Sequence, residues 1–90
     1  MTRADLYDWL RIECGCITQP IGEHTRGNVV IIRDPKNNRT AFLDTPIDGR
    51  PVNDYTACHI CCLLGVQIPD GVKDFEDITV EIKKTHYPDY

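Results

Sequence analysis

The stretch ACHICCLLG, residues 57–65, places Cys58, His59, Cys61 and Cys62 within five positions, and Cys14 and Cys16 form a second pair near the start of the chain. Thiolates and imidazoles are the ligands of structural zinc, which takes four of them in a tetrahedron. Cys14 and Cys16 would supply one half of such a site, and Cys58 with Cys62 or His59 the other. Thiol chemistry is a second use of these residues, but it needs a thiolate stabilised by a helix start or a cation. Only Cys58 lies near a helix start, and no Lys or Arg stands beside it in sequence. The third use is packing. Residues 57–64 are apolar nearly all round apart from His59, a helix of that kind belongs in a core, and the unpaired thiol is among the most buried side chains. Cys-x-Cys is also not the usual zinc knuckle spacing. The expectation is therefore core packing, with no metal and no cofactor, and with His59 a partly exposed polar residue.

A different chemistry is offered by GEHTR, residues 22–26. Its histidine sits in a loop, where a rigid scaffold most often carries function. An imidazole moves protons near neutral pH. Arg26, with Arg33 or Arg39 further on, offers positive charge to a phosphate. A surface histidine without a role is the plain alternative.

The elements that would position these residues follow from pattern. Thr2 caps a helix over residues 3–13, with Asp5 at the third helical position and Leu6, Trp9 and Leu10 facing inward. Gly15 stops it, and residues 16–18 suit a short strand. Pro20, Gly22, Gly27 and Asn28 mark a loop. Residues 29–32 are four consecutive β-branched apolar residues, a strand expected to be covered on both faces. Residues 34–38, DPKNN, are turn chemistry, so 28–44 reads as an antiparallel hairpin. Asn53 or Asp54 caps a helix running to Leu64, and Gly65 ends it. Ile78, Val80 and Ile82 alternate with polar neighbours, so 77–84 reads as an edge strand.

Together these give a small α+β domain: an antiparallel sheet with two helices packed on one face, in the order α-β-β-β-α-β. Ninety residues allow a single domain with one modest core. That core is expected over residues 3–66, with an acidic strand and tail at 67–90. The net charge is −4, which disfavours strong non-specific binding to nucleic acid. The charge is uneven, however: residues 22–52 sum to +1 and residues 67–90 to −3. No apolar run is long enough to cross a membrane, and MTRADLYDWL lacks the features of a signal peptide. A cytoplasmic protein with reduced thiols is expected.

The element order and four sequence features resemble the HicA toxin family, small messenger-RNA-cleaving proteins with a double-stranded-RNA-binding-domain-like fold. The features are the helix ending before Gly15, the triplet Gly22-Glu23-His24, the hairpin 28–44, and the helix ending Leu64-Gly65-Val66. The resemblance covers residues 3–66. It departs from the family at Glu23, where a small hydroxyl residue is usual, in its acidic charge, and in the added segment 67–90. It implies a metal-independent endoribonuclease in which His24 is the catalytic histidine and Arg26 steadies the phosphorane, with Gly22, Arg33 and Arg39 in the binding surface. RNA would then be one partner and an antitoxin-like protein another. The competing expectation is a non-catalytic module that binds a protein partner through its edge strand or acidic surface.

Overall fold

Thr2 begins the fold. Its hydroxyl accepts from the Asp5 N–H at 3.1 Å, and the Asp5 carboxylate accepts from the Thr2 N–H at 3.1 Å. This reciprocal cap satisfies two donors that a helix start otherwise leaves open. Helix α1 (Arg3–Asp8) follows, and the chain continues as a π-helical turn, Trp9–Glu13. The Cys14 N–H reaches back to the Trp9 carbonyl at 3.1 Å, a span of five residues. Leu6 and Leu10 are fully buried, and Trp9 is half-buried. The structure, a computed structural model, describes residues 1–19, 29–75 and 77–78.

Three antiparallel strands form the sheet: β1 (Ile17–Gln19), β2 (Val29–Asp34) and β3 (Arg39–Asp44), in the order β1-β2-β3. Strand β1 starts one residue later than expected, because the Cys16 N–H is bonded to the Leu10 carbonyl at 2.9 Å. The β2–β3 register sets Val30 opposite Leu43, Ile32 opposite Ala41 and Asp34 opposite Arg39. Alternation puts these six residues on one face. The other face carries Ile31 opposite Phe42 and Arg33 opposite both Thr40 and Ile17.

Helix α2 (Asp54–Leu64) is capped by Asn53, whose side chain accepts from the Thr56 N–H at 2.8 Å. Gly65 ends it at φ +71°, the left-handed conformation that glycine adopts without steric cost. Leu6, Leu10, Ile32, Ala41, Leu43, Ala57, Ile60, Cys61 and Leu64 form one buried cluster. Both helical segments therefore cover the same sheet face, and the molecule is a small α+β domain. Backbone bonds tie the N-terminus to the approach to α2: Arg3 N–H to the Arg50 carbonyl at 2.9 Å, and Val52 N–H to the Met1 carbonyl at 2.8 Å.

Two expectations need correction. Strand β2 is not covered on both faces: Ile32 is fully buried, whereas Val29 and Ile31 are only half-buried. Among the described residues, its apolar run faces helices on one side alone. Asp77 and Ile78, expected to open an edge strand, are helical, with the Ile78 N–H bonded to the Phe75 carbonyl at 3.0 Å. The rest of that strand, and the tail after it, lie outside the described residues.

Candidate functional site

The five cysteines divide into two groups, and none is in a disulfide. Cys14, Cys16 and Cys61 lie on the sheet side of α2. Burial pushes the Cys61 thiol up to about 12, and the other cysteines, Cys14 foremost, push the same way. Burial and the Asp34 carboxylate raise Cys16 to about 11. Cys14 is raised by burial, Asp34 and Glu13, against an opposing pull from Lys36. These are protonated, weakly reactive thiols, as the packing reading expects.

Cys58 and Cys62 face the other way. Their sulfurs stand 3.9 Å apart, one helical turn from each other on α2. The segment after α2 folds over them. The Phe75 N–H donates to Cys58 Sγ at 3.4 Å, the Lys73 N–H donates to Asp54 Oδ2 at 3.3 Å, and the Phe75 ring meets Tyr55 edge-on with centroids 5.3 Å apart. Cys58 and Ile78 are the buried pair of this second, smaller cluster. Burial raises the Cys58 thiol, and the Phe75 N–H partly offsets it. The zinc arrangement that would join Cys14 and Cys16 to Cys58 and Cys62 is not formed, because Cys14 and Cys16 pack with the main core while Cys58 and Cys62 lie in the second cluster on the other side of α2. Among the described residues, no three His, Cys, Asp or Glu side chains stand together so as to hold a metal ion. His59 is exposed, as expected.

A cavity of about 330 Å³ opens where the π turn, the β2–β3 turn and the end of α2 meet, lined by Trp9, Glu13, Cys14, Asp34, Lys36 and Asn37 among others. Its most buried polar group is Asp34, 2% exposed. One Asp34 oxygen accepts from the Lys36 N–H at 3.2 Å, and the other accepts from the Asn37 amide at 2.7 Å. A carboxylate engaged in this way holds a turn in place. The Trp9 indole N–H is likewise committed to the Gln67 carbonyl at 2.9 Å. The cavity is polar and suits a small polar ligand, but its central residues already serve the fold. The sequence reading missed it because its walls come from three separate segments. Asp34 itself could have been recognised from the Asp-Pro turn it opens.

The hairpin arginines are not brought together. Arg33 projects from the open face of the sheet, where its guanidinium donates to Asn38 Oδ1 at 3.2 Å. Arg39 is on the helix-covered side, opposite Asp34 and close against Gly65. They cannot contact one phosphate from the same face. Gly22, His24 and Arg26 lie outside the described residues. The segment that carries them connects β1 to β2, which are neighbours in the sheet. The open face also holds exposed apolar side chains: Ile17 is 42% exposed and Phe42 58%.

No family model, curated protein or solved structure matches the chain. Among the described residues, no helix is long and apolar enough to cross a membrane.

Proposed function

We propose that this chain is a HicA-like protein with a double-stranded-RNA-binding-domain-like fold, which binds RNA and cleaves it at the segment bearing His24. One observation carries the reading. A helix, three antiparallel strands in sequential order and a second helix follow one another, with both helices on one sheet face. In this reading the connection from β1 to β2, which carries Gly22, His24 and Arg26 in sequence, supplies the catalytic groups.

In this reading His24 removes the proton from a ribose 2′-hydroxyl, and the oxygen attacks the adjacent phosphorus. The bond to the 5′-oxygen breaks, the departing oxygen takes a proton, and a cyclic phosphate remains. Arg26 balances the charge that builds on the phosphorane. Of the hairpin arginines, Arg33 is the one that shares the open face with the sheet's exposed residues, so its contribution to RNA binding is separable from that of Arg39.

A second reading rests on the exposed Ile17 and Phe42. Apolar side chains on an uncovered sheet face are a feature of protein-binding modules, and an antitoxin-like or other protein partner would cover them.

Induction of the native chain and of His24→Ala in matched bacterial cells separates the two. Growth arrest with loss of messenger RNA, absent in His24→Ala, supports cleavage. If the native chain accumulates folded and leaves RNA intact, cleavage is wrong and the binding module remains.

A further inference from the structure

A second groove, also of about 330 Å³, runs between the π turn and the segment that follows α2. We infer that this groove is a docking surface for a partner protein's extended segment in which Arg or Lys flanks an apolar side chain. The inference is independent of the proposed RNA chemistry.

The floor of the groove is apolar. Ile12 is 71% exposed, the most exposed large apolar side chain among the described residues, and Met1, which also lines the groove, is 37% exposed. Ile12 belongs to neither buried cluster. Trp9 supplies an aromatic wall, and its indole N–H, bonded to the Gln67 carbonyl at 2.9 Å, ties that wall to the opposite one. The π winding shapes this surface, since residues four apart share a side and Asp8 stands with Ile12, Trp9 with Glu13. Such windings are rare and recur at functional sites.

The rim is acidic. Asp8 and Glu13 come from the helical segment, and Asp70 comes from the segment after α2. Asp5 lines the groove as well, but the Thr2 N–H already engages its carboxylate. No Lys or Arg side chain is among the lining residues. Arg11, the neighbouring cation in sequence, lies over the Tyr7 ring at 5.0 Å, and the Tyr7 hydroxyl meets the Thr18 hydroxyl of β1, so that charge is directed toward the sheet. An apolar floor within unbalanced negative charge complements a segment with cations beside an apolar side chain, and Trp9 offers those cations an aromatic surface.

The spread of the carboxylates selects a segment over a single ion. Among the described residues, no three His, Cys, Asp or Glu side chains stand together so as to hold a metal ion. Asp8 and Glu13 are five residues apart, about 7 Å along a helical axis. Alternate side chains of an extended chain share a face at a spacing of about 7 Å. The pattern Arg-x-Leu-x-Arg therefore sets one apolar side chain on the floor and a cation toward the rim on either side.

Trp9 is the chain's single tryptophan, so its fluorescence reports from the groove itself. The test titrates the full chain with the acetylated, amidated peptide GRSLSRG, and with GESLSEG and GRSSSRG as controls. The expected result is a saturable change in Trp9 emission with the first peptide, none with the second, and weaker binding of the third. Asp8→Lys or Asp70→Lys should weaken binding roughly threefold to tenfold, and Ile12→Ser roughly fivefold. Asp74→Lys changes the net charge equally but lies outside the groove lining, and it should leave the affinity nearly unchanged. All four residues are exposed, so the variants keep the fold, which their urea midpoints check. Absence of a saturable change with GRSLSRG, equal binding of GESLSEG, or equal losses from Asp74→Lys and Asp70→Lys would each overturn the inference.

Discussion

The two sides of α2 carry the same residue type to different ends. On the sheet side, Ala57, Ile60, Cys61 and Leu64 lock into the main core with Ile32, Ala41 and Leu43. On the other side, among the described residues, Cys58 and Cys62 meet the folded-back segment through Ile68, Val72, Phe75 and Ile78. The first side has a layered sheet and a second helix beneath it. Among the described residues, the second has the segment after α2, held by Lys73 N–H to Asp54, Phe75 N–H to Cys58 and an aromatic edge contact. Cysteine in the first environment is a small apolar filler; in the second it is part of a pair with sulfurs facing. Spacing on a helix does not distinguish these outcomes. What packs on each side does.

The largest expected effect tests that asymmetry directly. Leu64 is fully buried on the sheet side, and truncating a buried leucine costs ~2–5 kcal/mol. Ile68 is half-buried and packs against both the main core and the thiol pair. Leu64→Ala should lower the urea midpoint well beyond what Ile68→Ala does, with the slope of the transition unchanged. Equal losses from the two would mean that the folded-back segment is as integral to the core as the sheet is.

A smaller effect is expected at Gly65, where the chain leaves α2 and turns toward the second side. An added Cβ would stand 2.8 Å from Arg39 Nη1 and 2.9 Å from Asn37 Nδ2. Both are ends of side chains that can move aside, so the backbone conformation sets most of the cost. At φ +71°, a non-glycine residue costs ~1–2 kcal/mol. Gly65→Ala should lower thermal stability by that amount, and an unchanged melting temperature would show that the turn relaxes freely.

Much of this was legible in the residues. Thr2 with Asp5, Asn53 and Gly65 announced the ends of both helices, because caps are local chemistry that one side chain and a few backbone groups decide. The hairpin was legible for the same reason, with Asp34, Pro35 and Asn38 forming its turn. The π winding of Trp9–Glu13 was not, since it depends on how Trp9 and Cys14 meet the sheet and the Gln67 carbonyl. Nor was the helical turn at Asp77 and Ile78, where Ile78 is drawn down onto Cys58 and overrides the strand-like alternation of its neighbours. For the candidate site, residue types offered Arg33 or Arg39, beside Arg26, as positive charge for a phosphate, and placed both in one binding surface. Their spacing of six residues across a turn put them on opposite faces once Asp34 paired with Arg39. Register across a turn is a property of the folded hairpin, and composition does not reveal it.

The smallest effect expected near neutral pH, growing in alkali, comes from the sheet-side thiols. Cys16 and Cys61 are raised to about 11 and about 12 in the folded chain, mainly by burial, while an unfolded cysteine titrates at ~8.5. A raised folded value means that the unfolded chain releases its proton first. Stability from these two groups is fully present below the unfolded value and is lost as pH rises toward the folded ones. Between about pH 9 and pH 11, each thiol should therefore reduce unfolding free energy by no more than ~1.4 kcal/mol per pH unit. Cys61→Ala would remove one such contribution and flatten the alkaline limb of a stability-against-pH curve measured by urea titration. If Cys61→Ala leaves the limb as steep as in the native chain, burial on the sheet side of α2 is not what holds that thiol's proton, and the packing role drawn from its raised value fails.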